Sequence, residues 1–174
     1  MGAQTRGALL HRMLFAYDGS EQVLGPFRLA VAIAKQNFSE LHIASVGEVE
    51  VVPQTIAHVR EQRALAINRL RRLAIYARAD LGSGDFEHHS QPLTGDPVRQ
   101  IIRLAAELKA GLIVIGTKGH SSIYERLIGS RTSRIVSLAP CPVLVARTNN
   151  KRRPASIGFR FPFGRDGRRI RSVA

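Results

Sequence analysis

Leu112-Ile113-Val114-Ile115, closed on either side by Gly111 and Gly116, is the stretch that decides the fold. It is aliphatic without interruption, so it has no face suited to water. Unbroken runs of this kind suit a parallel strand covered by helices on both sides.

The flanking sequence agrees with that reading in both directions. Before the run, Gly95-Asp96-Pro97 opens a helix, with Asp96 as a natural N-cap and Pro97 at the first helical position. Val98, Ile101, Ile102, Ala105 and Leu108 form its inner face. Residues 86–93 read as a polar strand at a sheet edge. Further back, Arg12 to Tyr17 is a short buried strand that ends in the turn Asp18-Gly19-Ser20. Phe27, Ala30, Val31 and Ala34 recur at helical spacing. Leu41, Ile43 and Ser45 alternate with His42, Ala44 and Val46 as a second strand. A long helix then carries Val59, Ala66, Leu70, Leu73 and Ala77 on one stripe, with Arg60, Arg63, Arg69, Arg71 and Arg72 mostly elsewhere, and stops at Gly82-Ser83-Gly84. After the run come a helix with Ile128, Thr132, Ile135 and Leu138 inward and a last strand, Val143 to Ala146. The order is β-α-β-α-β-α-β-α-β. Strict alternation of this kind predicts an α/β fold: one doubly wound parallel five-stranded sheet with helices on both faces.

The chain has 174 residues and 44% hydrophobic residues, enough for one core. Its single cysteine, Cys141, excludes an internal disulfide framework and suits a reducing compartment. The first apolar run, Leu9 to Ala16, is interrupted by His11 and Arg12, so no secretory signal is read, and no stretch approaches the roughly 20 apolar residues of a membrane span. A cytoplasmic protein is expected. The net charge of +13 is unevenly placed. Residues 148–174 hold eight basic residues against Asp166, a net +7. The division expected is a domain over 10–147 and a basic extension over 148–174 with little stable structure. Arginines interleaved with Phe159, Phe161 and Phe163 resemble single-strand-binding segments in composition. That extension reads either as a weak contact for nucleic acid or an anionic surface, or as a solubilising end.

The chemistry concentrates after the decisive strand. Gly116-Thr117-Lys118-Gly119 is followed, nine residues on, by Gly129-Ser130, a G-x2-G-x9-G-[ST] spacing. Glycine lets backbone N–H groups approach phosphate oxygens closely and adopt positive φ. Ser130 is placed to cap the next helix and to offer a hydroxyl to phosphate, where the helix start presents unsatisfied N–H groups. The loop lies at the carboxyl end of a strand, where open α/β sheets bind ligands. Neither a Walker A sequence nor G-x-G-x-x-G is present.

Four segments together resemble the universal stress protein family, in its ATP-binding subgroup. They are Leu14-Phe15-Ala16-Tyr17-Asp18-Gly19-Ser20, Gly95-Asp96-Pro97, Leu112 through Ser121, and Ala139-Pro140-Cys141-Pro142-Val143-Leu144-Val145. The resemblance implies strand order 3-2-1-4-5, an adenine nucleotide alpha hydrolase-like sheet, with ATP and Mg or Mn across strands 1 and 4. It implies Asp18 at the nucleoside or a phosphate-bound metal ion, and Val46 at adenine. Gly116, Gly119, Gly129 and Ser130 would hold ribose and phosphates. It also implies a homodimer through the last strand, Val143, Leu144, Val145 and Ala146, where an apolar edge invites pairing. Two departures stand out: Gly25-Pro26 falls inside the family's first helix, which implies a late start or a kink, and Gly111 stands where the family often has Asp.

Other readings remain beside this one. Asp18 read alone is a plain helix N-cap; beside the glycine motif it reads as a ligand contact. Lys118 and Arg131 flank the phosphate loop and either neutralise phosphate or face solvent. His88-His89 has no second ligand pair close in sequence, a weak indication of a metal site. No nucleophile–base pair is recognisable by spacing. The function expected is an ATP-binding stress-response regulator in which nucleotide biases conformation or partner choice. The alternative is a slow ATPase or a nucleotidyl-transfer enzyme.

Overall fold

A computed structural model of the chain describes residues 10–20, 23–49, 55–81, 88–117 and 129–147. The elements follow the expected alternation: β1 (Arg12–Ala16), α1 (Leu24–Asn37), β2 (Glu40–Glu48), α2 (Ile56–Leu81), β3 (His88–Gly95), α3 (Pro97–Leu108), β4 (Leu112–Thr117), α4 (Ser130–Leu138) and β5 (Val143–Arg147). All neighbouring strands are parallel, in the order β3-β2-β1-β4-β5. The chain winds outward from β1 to β3, then returns past β1 to β4. The gap between β1 and β4 is therefore the point where the winding reverses.

Alternation along the central strands assigns the two cores. Met13, Phe15, Leu41, Ile43 and Val114 point to one face, where Phe27, Ala30, Val31 and Ala34 of α1 and Leu70 and Leu73 of α2 cover them. Leu14, Ala44, Val46, Ile113 and Ile115 point to the other, under Val98, Ile101, Leu104 and Ala105 of α3 and Ile135 of α4. Strand β2 is buried from Leu41 to Gly47. Its alternation thus separates two interior faces rather than inside from outside, and it carries His42 and Ser45 inward with its apolar residues. Burial, and next the neighbouring His89, push the His42 pKa below the usual histidine range.

Local signals set the helix ends. Asp96 caps α3 by accepting from the Arg99 N–H at 2.8 Å, with Pro97 first in the helix. Helix α1 does start late, at Leu24, so Pro26 sits in its first turn, where a missing N–H removes no intrahelical bond. Asp18 is accordingly not the cap of α1. Its Oδ1 accepts from the Ser20 N–H at 2.9 Å and closes the turn after β1. In α4 the expectation needs two corrections. The cap position belongs to Gly129, and Ser130 is the first helical residue, so its hydroxyl makes no cap bond. Leu138 is 57% exposed, because α4 lies over the sheet edge and only Ile135 of its inner stripe is fully covered. Ile128 lies outside the described residues, as do Phe86 and the glycines expected to end α2.

Candidate functional site

A cleft of about 600 Å³ opens at the carboxyl ends of β1, β2 and β4. That size falls within the range of small-molecule sites. Ala16, Ala44, Val46, Ile101, Ile115 and Ile135 give it apolar walls. Asp18 and Ser20 come from the turn after β1, Gly116 from the end of β4, and Gly129 to Thr132 from the start of α4. Five of the six residues singled out in the sequence, Asp18, Val46, Gly116, Gly129 and Ser130, thus line one cavity. Gly119 lies outside the described residues, with Lys118 and the rest of the loop to residue 128.

Each wall has a local cause. Val46 is 8% exposed and continues the α3-facing row of β2 up to the rim. Gly116 presents bare backbone to the cleft, and a Cβ there would meet Pro26 Cγ at 3.3 Å. The first turn of α4 has a glycine at its cap and no side-chain cap bond. Its leading N–H groups have no partner within the helix and carry the positive end of its dipole. Such a helix start accepts an anion.

Three charged residues shape the site in ways that spacing did not reveal. Arg69 crosses from α2 and donates Nη1–H to the Val46 carbonyl at 2.9 Å. It passes beneath Gly19, whose φ is +91°; a Cβ there would lie 2.8 Å from Arg69 Nε. Glycine is favoured at Gly19 by its positive φ, and any side chain there would also make Arg69 shift. A finer reading of the helix could have flagged Arg69: it follows Ala66 by three residues and precedes Leu73 by four, on the margin of the buried stripe. Arg131, expected either at phosphate or in solvent, is half exposed and pairs with Glu48: its Nη2 lies 2.5 and 2.7 Å from the two carboxylate oxygens. Both side chains are about half exposed, so the pair contributes at most roughly 1 kcal/mol. It nevertheless ties α4 to the end of β2 across the cleft mouth. Tyr17 is buried beside Asp18, and burial foremost raises its hydroxyl pKa above 10.0, so the group stays protonated.

The family model described as "Universal stress protein family" matches residues 10–147. Over 148 residues the chain is 30% identical to the universal stress protein YxiE of Bacillus subtilis, spanning 80% of this chain and 100% of the relative. Over 135 residues it is 32% identical to a universal stress protein of Thermus aquaticus, spanning 78% and 97%. Among solved structures, a universal stress protein in complex with cAMP is similar at 25% identity with a TM-score of 0.63, over 82% of this chain and 100% of the other.

Proposed function

We propose that this chain, which belongs to the universal stress protein family, binds an adenine nucleotide in the cleft between β1 and β4, with ATP and Mg²⁺ or Mn²⁺ as the occupant. The observation that carries this reading is the meeting of an apolar wall, a bare glycine strand end and an uncapped helix start in one cavity of about 600 Å³. The residues fit the group. Val46 and Ala44 offer a flat apolar surface to a purine. Gly116, Gly129 and Ser130 offer backbone N–H groups and a hydroxyl to phosphate oxygens. Gly119 belongs to the same set by the glycine spacing. Asp18 stands where a carboxylate would share a divalent ion with phosphate; that ion would offset the negative charge the two bring together. Arg69 holds the rim of β2 in place through the Val46 carbonyl. A similar protein was solved with cAMP, which supports an adenine ligand without choosing among nucleotides.

Nucleotide acts here as a ligand that biases conformation or partner choice. The described lining contains no His, Cys or Lys, and of its two carboxylates Glu48 is engaged by Arg131. A slow ATPase or nucleotidyl transferase is the second reading. The chain divides into the domain over 10–147 and a basic extension beyond it. Strand β5 stands at the sheet edge, with Val143, Leu144 and Val145 partly covered. Among the described residues no strand pairs with the outer edge of β5, and an edge of this kind supports a homodimer through it. Among the described residues no helix is long and apolar enough to cross a membrane.

The test is titration calorimetry of the full chain with Mg–ATP, repeated with AMP and cAMP. Saturable ATP binding is expected. No binding of any of the three up to millimolar concentration would refute the reading, and preference for cAMP or AMP would replace ATP as the ligand. Release of labelled phosphate at a steady rate above that of the buffer would favour the enzyme.

A further inference from the structure

A second polar cluster lies at the opposite end of the sheet from the cleft. Glu40 and His42 are two residues apart on β2, so they share a face. The register of β2 with β3 sets His89 directly beside His42. The two imidazoles stack at 4.7 Å between centroids, 23° apart. One ligating atom from each of Glu40, His42 and His89 lies within 4.8 Å of the others. His42 is 6% exposed, and among the described residues neither ring nitrogen has a hydrogen-bond partner, Glu40 Oε2 standing just beyond that range at 3.6 Å from Nε2. An imidazole buried in that state is costly, at roughly 1–3 kcal/mol for each unmet polar group. A ligand on Nε2 would remove part of that cost.

We propose that Glu40, His42 and His89 form a site for a zinc-class divalent ion. Two imidazoles and one carboxylate are a borderline-soft donor set, suited to Zn²⁺ and its neighbours rather than to Mg²⁺ or Ca²⁺. Zinc bonds of about 2.0–2.1 Å in a tetrahedron place donors about 3.4 Å apart. His42 Nε2 and Glu40 Oε2 already stand 3.6 Å apart. His89 is exposed at the edge strand, stacked against the His42 ring. The fourth position faces solvent at that edge. Arg12 is the opposing feature: its Nε–H donates to Glu40 Oε2 at 3.0 Å, and one of its Nη1–H groups to the Leu108 carbonyl at 3.3 Å. The oxygen nearest His42 is thus the one Arg12 holds, so the ion either shares Oε2 with the guanidinium or displaces it. In either case the arginine's charge weakens the site. Val46 lies four residues further along β2, about 13 Å away, so this ion is separate from any at the nucleotide cleft.

Tag-free full-length protein titrated with ZnCl₂ by calorimetry tests the proposal. One saturable site is expected. His89→Ala, an exposed change, should weaken it about tenfold or more. Arg12→Gln should tighten it. His88→Ala should leave it unchanged, because His88 points to the other face of β3. Mg–ATP affinity should be the same in all of them. Absence of zinc binding, equal zinc affinity in His89→Ala and the parent, or an equal loss in His88→Ala would each overturn the assignment.

Discussion

Replacing Gly47 by alanine is the sharpest test of how the sheet and the cleft are joined. Gly47 is buried on β2 between Val46 and Glu48, two residues that line the cleft. A Cβ at this position would lie 2.0 Å from the Gln62 carbonyl oxygen and 2.4 Å from its carbon. Ordinary contact begins near 3.4 Å, so α2 would have to withdraw by about 1.4 Å. The obstacle is backbone, and no rotamer change relieves it. Withdrawal also opens the packing of Ala66, Leu70 and Leu73, all buried on the same sheet. A gap of even 0.5–1 Å forfeits about a quarter to a half of each contact. Overpacking of this kind costs about 1–3 kcal/mol, and the rigid neighbour places Gly47→Ala at about 2–3. In a chain of this size that is a fall in Tm of about 4–12 °C. The same displacement stretches the 2.9 Å bond from Arg69 to the Val46 carbonyl, so nucleotide affinity should fall with it. Scanning calorimetry of Gly47→Ala beside Gly25→Ala supplies the measurement. Gly25 has nothing within 4 Å of its added Cβ, so its alanine variant should melt at or slightly above the parent. A Gly47→Ala protein melting within about 1 °C of the parent would refute the close packing of α2 on β2.

Gly116→Val should weaken Mg–ATP binding about tenfold or more, a loss of at least 1.4 kcal/mol, because its branches intrude where the strand end is bare; an unchanged titration would move the phosphates elsewhere. Phe38 ends α1 at φ 53° with 94% of its surface exposed, so Phe38→Gly should raise stability by about 0.5–1 kcal/mol in a chemical melt, and a decrease would contradict the strained cap. Burial raises the Cys141 thiol, against a smaller opposing hydrogen bond at Ile113, so iodoacetamide should react with it more slowly than with free cysteine at neutral pH and faster as the pH is raised; alkylation at neutral pH as fast as that of free cysteine would contradict that environment. Removing residues 148–174 deletes a net +7, so any binding to single-stranded DNA should weaken and depend less steeply on salt while ATP affinity stays level; loss of ATP binding would show that the extension reaches the cleft.

The succession of elements and the two buried faces were legible in the sequence because they rest on periodicity; the lateral strand order 3-2-1-4-5 came from the family resemblance. Leu112 to Ile115 is apolar on both faces, the helices repeat every three to four residues, and Asp96-Pro97 marks a start by chemistry that needs no distant partner. The cleft was legible in outline for a related reason: Gly116 and Gly129-Ser130 line it with backbone, whose position follows from the element it begins or ends. Side chains that act across the fold were not legible. Arg69 looked like one more solvated arginine, and its route beneath Gly19 exists only because α2 packs directly on β2 at Gly47. Arg131 met Glu48, 83 residues earlier in the chain. His88-His89 gave little by spacing, since the residues completing the cluster, Glu40 and His42, lie nearly fifty positions away and arrive by strand register. Local pattern determines which elements form and which faces they bury. The pairing of charged and ligating groups depends on where parallel strands align, and parallel strands are joined only through crossovers too long for sequence spacing to encode that alignment.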